Sequence, residues 1–339
     1  MKDKTLVWLV TVLILGVITI GGCTSMQTVK IPSAPHYPDR PITVIVPFSA
    51  GSGLDLIGRA LEKYAPKYLG QPLSVINKPG AAGTLGFNEL VAASPDGYTI
   101  GISSVEIILN PLYGSTKYQY STALAPLARV ATSVSMLVSL ADQPWSNLTE
   151  LIAYDKQHPN QLKFGHPGIG SLSHIVGEAF VKRSNSTIKQ VPFQGGGEVV
   201  AALLGGHIQT AVVNPVLVKE YIRNGSIRVL AVSGEERLQD PVFAQAPTFK
   251  EQGIDVVFNT WFGVAAPKEL PPAVKTKLAE GLKSMITDPE FKKNIENMGL
   301  QLNYLDPKET EQQWIVDGEK LTKTVHETGI IERIKSQKQ

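Results

Sequence analysis

A glycine-rich loop, PFSAGSGLD at Pro47–Asp55, joins an apolar run to a helical pattern and contains no lysine or arginine. A dinucleotide-binding fingerprint needs a third glycine where Leu56 stands, and the loop lacks the Gly-Lys-Ser/Thr ending of a P-loop. Backbone N–H groups at a helix start bind compact anions through hydrogen bonds and the helix dipole. The loop therefore predicts a site for a small carboxylate. The alternative is a purely structural turn with Asp55 as the helix N-cap.

A second loop, FGHPGIGSLSH at residues 164–174, repeats this order of strand, glycines, serines and helix. It also lacks basic residues, so two facing helix starts would hold one anion through backbone and hydroxyl groups. Ser171 and His174 have the spacing of helix capping, and the loop does not match the G-x-S-x-G elbow of serine hydrolases. His166 and His174 do not have the spacing of a zinc site. We expect no catalytic residue, no metal and no cofactor.

The composition of the chain limits the classes of partner. It has 339 residues, a formal net charge of +2 and 43% hydrophobic residues. This length predicts about two globular domains. The near-neutral charge provides no basic surface of the kind that binds nucleic acid. We expect a monomer that binds no nucleic acid.

The N-terminus has the three parts of a secretion signal, namely two early lysines, an apolar run from Leu6 to Ile20, and small residues before Cys23. Cleavage before this single cysteine resembles the lipobox of bacterial lipoproteins. It predicts a signal peptide over residues 1–22 and a lipid on Cys23. The alternative is a retained membrane anchor, but the run is shorter than the ~20 residues of a membrane span. Residues 23–38 are polar and contain prolines, which predicts a tether.

Apolar runs and helical patterns alternate from Asp39 onward, which predicts an α/β fold with mostly parallel sheets. The run ITVIVPF is typical of a strand that is buried on both faces. Leucine, isoleucine and tyrosine at positions 54, 57, 61 and 64 lie on one face of the next helix. A second α/β series begins near Val134, and helical patterns dominate after residue 267.

These patterns predict two lobes. Residues 39–133 form the first part of lobe 1, residues 134–259 form lobe 2, and residues 260–339 return to lobe 1 with the C-terminal helices. The chain then crosses between the lobes near Arg129–Ser139 and Phe258–Val264. We expect the lobes to hinge at these crossovers when a ligand binds both.

Several stretches, taken together and in this order, resemble the extracytoplasmic solute receptors of tripartite tricarboxylate transporters, the TctC or Bug family. They are YPDRPITVIVPFSAGSGLD, VINKPGAAGTLGFNELVAASPDGYTIGISS, NPLYG, FGHPGIGSLSH, VPFQGGGEVVAALLGGHIQ, LAVSGEERLQDPVFAQAPTFKEQGI and WFGVAAP. The resemblance covers nearly the whole chain after Tyr37. It implies the two-lobed fold of type II periplasmic binding proteins, with a small organic acid in the cleft.

The resemblance also implies that one loop from each lobe holds the carboxylate. The expected ligand-binding residues are Pro47, Phe48, Ser49, Ala50, Gly51, Ser52, Asp55, Ser104, Glu106, Gly168, Gly170, Ser171, Ser173, His174, Gln194, Gly195 and Asn214. Gln194 stands where relatives often have Lys or Arg, which favours a mono- or dicarboxylate over a tricarboxylate. Glu106 is either a solvated glutamate at a helix start or a partner for a ligand ammonium group.

The function implied is that of a receptor and not an enzyme. We expect a protein that is lipid-anchored to a bacterial membrane, in the periplasm or on the outer face of the plasma membrane. It would capture a small carboxylate and deliver it to the permease subunits of a transporter. The alternative is a receptor with the same cleft whose closed form docks on a signalling partner.

Overall fold

The computed structural model describes residues 37–114, 116–327 and 329–338, all within one compact unit that spans Pro32–Gln339. The predicted signal peptide and Cys23 lie outside the described residues. Eleven strands are present in the described part of the chain. They are β1 Ile42–Val46, β2 Leu73–Asn77, β3 Thr99–Ser104, β4 Leu124–Val134, β5 Met136–Leu140, β6 Lys163–His166, β7 Lys189–Pro192, β8 Thr210–Val213, β9 Ile227–Val232, β10 Asn259–Pro267 and β11 Gln301–Leu305.

The strands form two sheets, in the spatial orders β11-β4-β10-β3-β1-β2 and β7-β6-β8-β5-β9. Strand β1 is parallel to β2 and β3, and β6 is parallel to β7 and β8. The other pairs are antiparallel. The two sheets confirm the predicted α/β, two-lobed architecture. The prediction of mostly parallel sheets was wrong, because the strands at the crossovers run against their neighbours.

Helices connect or flank these strands throughout the described residues. They are α1 Gly53–Leu69, α2 Thr84–Ala92, α3 Glu106–Leu112, α4 Tyr120–Ala123, α5 Leu148–Gln157, α6 Leu172–Ser184, α7 Gly196–Leu204, α8 Lys219–Arg223, α9 Pro272–Ile286, α10 Pro289–Asn297, α11 Pro307–Glu327 and α12 Ile330–Lys338. In the residues that the structure describes, we find no helix with the length and apolar character of a membrane span.

The core of the first sheet forms on the helix face that the sequence periodicity predicts. Ile57 and Leu61 of α1 are buried, and they belong to one apolar cluster with Val44 and Val46 of β1. Helix α9 packs against α1 and against β4, and thereby returns the C-terminal part of the chain to the first sheet. Strand β1 and helix α1 are therefore both packed in the core, on either side of the loop that joins them.

The two crossings between the sheets lie side by side. Ser135 is the single residue between β4 and β5. Its N–H donates to the Ser233 hydroxyl oxygen at 2.9 Å, and its carbonyl accepts the Ser233 N–H at 2.9 Å. The Ser233 hydroxyl donates to the carbonyl of Phe258 at 2.6 Å, just before β10 begins. Each segment predicted to hinge contains one of these crossing residues, while the hinge motion itself stays a prediction.

Two edge strands do not follow from the helical and apolar patterns that we identified. Strand β11 lies within the C-terminal region that we expected to be helical, and it pairs antiparallel with β4. Strand β9 pairs antiparallel with β5 at the edge of the second sheet. The residues of β11 alternate between exposed and half-buried positions, so the strand lacks the continuous apolar run by which we recognised the buried strands.

Candidate functional site

The first glycine loop joins β1 to α1, and Ser52 is the N-cap of that helix. The Ser52 hydroxyl oxygen accepts the N–H of Asp55 at 3.2 Å. The Asp55 Oδ2 in turn accepts the N–H of Gly51 at 2.9 Å. The expectation that Asp55 is the N-cap was therefore wrong. Its carboxylate lies in the first helical turn and fixes the loop that precedes the helix.

The charge of Asp55 is paired within the first lobe. Its Oδ1 accepts hydrogen bonds from Arg59 Nε at 3.3 Å and from Asn77 Nδ2 at 2.9 Å. The Asn77 amide also donates to the carbonyl of Phe48 at 3.0 Å, which ties the loop to the end of β2. This network satisfies a carboxylate that is 5% exposed.

The second glycine loop, between β6 and α6, repeats the capping arrangement of the first. Ser171 is the N-cap, and its hydroxyl oxygen accepts the N–H of His174 at 3.3 Å. The His174 Nδ1 accepts the N–H of Gly170 at 3.0 Å. Because Nδ1 is the acceptor, the neutral imidazole carries its proton on Nε2, which lies 3.6 Å from Glu178 Oε1. In both loops, a serine cap and an acceptor three residues later fix the backbone.

A small cavity of about 30 Å³ lies between these two helix starts. It is lined by Phe48, Ser52, Gly53, Leu54, Glu106, Ser135, Pro167, Leu172, Ser173, Gly196, Val213, Asn214, Leu217, Thr260 and Phe262. A water molecule needs ~10–15 Å³ on this measure, so the cavity has room for about two waters. The lining comes from both sheets and from both crossings, and hydroxyl and amide groups supply most of its polar atoms.

The predicted site residues fall into two groups. Those that line the cavity are Phe48, Ser52, Glu106, Ser173 and Asn214. Those that do not are Pro47, Ser49, Ala50, Gly51, Asp55, Ser104, Gly168, Gly170, Ser171, His174, Gln194 and Gly195. Several of the second group hold the lining in place through the capping contacts described above. The Gln194 side chain is exposed on the surface and does not reach the cavity.

Two glycines allow loops of the second lobe to approach the first lobe closely. A β-carbon on Gly195 would lie 2.0 Å from the Ser49 hydroxyl oxygen, and one on Gly168 would lie 3.3 Å from Ala82. Ala82 has a left-handed backbone with φ of 52°, which alanine rarely adopts. Its carbonyl accepts the side-chain amide of Asn110 at 2.9 Å. The structure thus brings the lobes into direct contact around the cavity.

Glu106 is buried, and the expectation of a solvated glutamate was wrong. Its side chain is 7% exposed within the cavity lining, at the start of α3. Oε2 accepts the hydroxyl of Ser104 at 2.5 Å, and Oε1 accepts the N–H of Leu172 at 3.1 Å. Leu172 is the first residue of α6, so a carboxylate from the first lobe occupies the helix start of the second.

The two histidines of the second loop are buried beneath it. Their rings stack with centroids 4.2 Å apart. Burial and the neighbouring His174 lower the pKa of His166 to about 3. His166 Nδ1 lies 3.0 Å from the carbonyl of Gly168 and Nε2 lies 2.6 Å from the amide of Gln190. Within the described ranges, no group of three metal-ligating side chains is present. Both histidines contact the backbone of the second loop, and neither lines the cavity.

Residues at the crossings complete the cavity and were not among the predicted site residues. Ser135 and Thr260 supply hydroxyls, and Phe262 supplies an apolar wall. A β-carbon on Gly53 would lie 3.2 Å from Asn214 Oδ1 and 3.4 Å from the Phe262 ring, so this glycine preserves space at the helix start. Ser135 and Thr260 lie in the two predicted crossover segments. Because crossovers border the cleft between two lobes, their position in the sequence could have identified them as site residues.

Comparisons with known proteins identify relatives over most of the chain. A family model described as the tripartite tricarboxylate transporter family receptor, TctC, matches residues 57–332. Protein BugT of Bordetella pertussis is 35% identical over 246 residues, which cover 71% of this chain and 75% of BugT. A protein of Cupriavidus necator, "UPF0065 protein in gbd 5'region", is 31% identical over 279 residues and covers 82% of this chain and 84% of the relative.

Solved structures confirm the fold. The periplasmic binding protein BugD superposes with a TM-score of 0.82 at 26% identity, covering 86% of this chain and 99% of BugD. MatC from Rhodopseudomonas palustris, solved with bound malate, gives a TM-score of 0.74 at 26% identity and covers 88% of this chain and 99% of MatC. The chain therefore belongs to the TctC family of tripartite tricarboxylate transporter receptors, as its motifs predicted.

Proposed function

We propose that this protein is an extracytoplasmic solute receptor that captures a small organic carboxylate and delivers it to the permease of a tripartite transporter. One observation carries the proposal. Two helix starts, each fixed by a serine cap, meet at a single cavity lined by hydroxyl and amide groups. No lysine or arginine lines this cavity, so backbone N–H groups are the natural anion donors. The malate bound to the related MatC supports the same ligand class.

We place the ligand carboxylate at the start of α1. The first N–H groups of a helix have no partner within it, and the helix dipole adds partial positive charge there. Gly53 and Leu54, the first two residues of α1, both line the cavity. The hydroxyls of Ser52 and Ser173 lie on the same lining. A carboxylate at this position would accept backbone N–H groups on one side and hydroxyls on the other.

We infer that ligand entry requires the lobes to separate, because the residues that line the cavity come from both lobes. Opening about the paired crossings at Ser135 and Phe258 would expose both helix starts to solvent. A ligand that contacts both lobes favours the closed state only through its differential contacts with that state. Small-angle scattering at saturating ligand should therefore show compaction relative to the free protein.

A thermal-shift screen over organic acids tests the proposal. A ligand at about 100 times its dissociation constant adds ~2.7 kcal/mol to the free energy of unfolding. We expect mono- or dicarboxylates to raise the melting temperature and tricarboxylates to have less effect, because no basic side chain lines the cavity for further carboxylates. If no acid raises the melting temperature, the proposed ligand class is wrong.

Lipid anchoring on Cys23 is part of the proposal and rests on the sequence. The cysteine follows an apolar run and two glycines. Stable anchoring needs more than one lipid chain, so we expect a modification with several chains. Mass spectrometry of the mature protein tests this directly. A mature chain that begins beyond Cys23 would contradict the lipid anchor without affecting the proposed ligand.

We propose binding without turnover. The matching family is one of transporter receptors, and the related BugD is a periplasmic binding protein. NMR of a bound acid after long incubation should therefore show the acid unchanged. The alternative, a receptor for a signalling partner, shares this cleft and differs only in what its closed form contacts. Reconstituted uptake with the permease subunits distinguishes transport from sensing.

A further inference from the structure

The cavity contains one charged side chain, and that charge is negative. Among all its lining residues, only Glu106 is ionisable. Its two hydrogen bonds come from the Ser104 hydroxyl and the Leu172 N–H, which are both neutral donors. Within the described part of the chain, no Lys, Arg or His forms an ion pair with it. A buried carboxylate is thus hydrogen-bonded but lacks a countercharge.

Glu106 differs in this respect from Asp55, the buried carboxylate of the first loop. Both carboxylates lie in the first turn of a helix and both are buried. Asp55 pairs with Arg59 at 3.3 Å and does not line the cavity. Glu106 has no such partner and does line it. Burial of a charge without a partner is costly, and because Glu106 lines the cavity, a cationic group of the ligand would supply the missing partner.

The position of Glu106 also removes one anion site. The N–H of Leu172, at the start of α6, is one of the donors that a ligand carboxylate would use on the second lobe. Glu106 Oε1 already accepts it at 3.1 Å. A second carboxylate at this end would therefore lose that donor and meet a like charge. The other end of the cavity, at Gly53 and Leu54 of α1, carries the free helix start.

The cavity therefore has one end suited to an anion and one end suited to a cation. We infer that the ligand carries, in addition to its carboxylate, a protonated amine that pairs with Glu106. This inference rests on the proposed function, and it narrows the ligand class to amino acids and related zwitterions. The ligand carboxylate lies at the start of α1, and the ammonium group donates to the Glu106 carboxylate from the cavity side. Dicarboxylates without an amine are disfavoured at the α6 end.

Matched pairs of compounds test this inference in the full protein. We would titrate alanine against propionate, aspartate against succinate, glutamate against glutarate, and phenylalanine against 3-phenylpropionate by calorimetry. Each pair differs only in the amine. In at least one pair, the wild type should bind the amino acid about 10- to 100-fold more tightly than the acid without the amine. This range follows from the free energy of a hydrogen bond to a charged group.

Two variants assign the preference to Glu106. Glu106→Gln keeps the shape of the side chain and removes its charge. The affinity ratio between the amino acid and the acid without the amine should therefore fall to about 1. Glu150→Gln is the matched control, since Glu150 is also a helix-start glutamate that accepts a backbone N–H, but on the exposed surface. It should retain the full preference. If Glu106→Gln does not fold, the titrations of the wild type with the matched pairs still test the inference.

The outcomes separate this inference from the proposed function. A wild type that binds the acids without amines as tightly as the amino acids would overturn the inference and leave the proposed function intact. The same holds if Glu106→Gln keeps the preference. Binding of none of these compounds, while another acid raises the melting temperature in the thermal-shift screen, would overturn the inference alone; no response to any acid in that screen would overturn both.

Discussion

Replacement of Gly195 by alanine should weaken ligand binding without unfolding the protein. Gly195 has φ of −173° and ψ of 166°, an extended backbone that alanine adopts without strain. Its added β-carbon would lie 2.0 Å from the Ser49 hydroxyl oxygen and 3.2 Å from the Ser49 β-carbon. Rotation of the hydroxyl relieves only the first contact. The second contact remains tight whenever the two lobes are closed.

The magnitude follows from overpacking in the closed state alone. An extra methyl group in a packed contact costs ~1–3 kcal/mol, and each ~1.4 kcal/mol is tenfold in affinity. Gly195→Ala should therefore weaken binding by roughly 5- to 150-fold. Separation of the lobes would remove this contact, so the free energy of unfolding of the ligand-free protein should change little. Calorimetry with the tightest acid from the thermal-shift screen measures the affinity.

Two further variants make the prediction specific. Gly197→Ala is the control on the same helix start, because its β-carbon would meet only ordinary contacts at 3.6 Å or more. It should bind normally. Adding Ser49→Gly removes the clashing side chain and should return the Gly195→Ala protein to the affinity of Ser49→Gly alone. If Gly195→Ala binds as tightly as the wild type, the lobes do not close in the way described.

Three other predictions concern the loops. Ser171→Ala should lower the free energy of unfolding by ~0.5–2 kcal/mol through loss of the α6 cap, while Ser171→Asn should not, as urea denaturation will show. Asp55→Leu should reduce affinity at least tenfold in calorimetry because Gly51 loses its acceptor. Asp55→Asn should lose less, because its single amide oxygen can still accept the Gly51 N–H while its NH2 group faces the donors Arg59 and Asn77. The pKa of His166 is about 3 in the folded protein and ~6.5 when unfolded, so the unfolded state binds more protons between these values. Stability should fall as the pH drops from 6.5 towards 3, by up to ~1.4 kcal/mol per pH unit from this group. His166→Gln should flatten that part of the urea-denaturation profile, and an unchanged slope would contradict it.

The sequence was sufficient to predict the loops, because the physics of a loop is local. The glycines, the serines and the helical periodicity that follows them lie within a few residues of each other. The sequence pattern favoured Asp55 as the N-cap of α1, whereas the N-cap in the structure is Ser52, three residues earlier. Both residue types cap helices well, so only the backbone angles decide between them.

The burial of Glu106 and the part that the crossings play in the cavity could not be predicted from local sequence patterns. The burial of Glu106 depends on Leu172, which is 66 residues away in the sequence and in the other lobe. Ser135 and Thr260 face the cavity because two distant crossings pair side by side. Such non-local contacts leave no periodic signal in a single sequence. The edge strand β11 was missed for a similar reason, since its pairing with β4 defines it.

A crystal structure of the protein with its tightest-binding acid tests the central claim most directly. We predict a closed molecule in which a ligand carboxylate oxygen lies ~2.7–3.2 Å from the N–H nitrogen of Gly53 or Leu54. A bound acid elsewhere on the protein, or one in the cavity whose carboxylate does not contact the start of α1, would contradict the account.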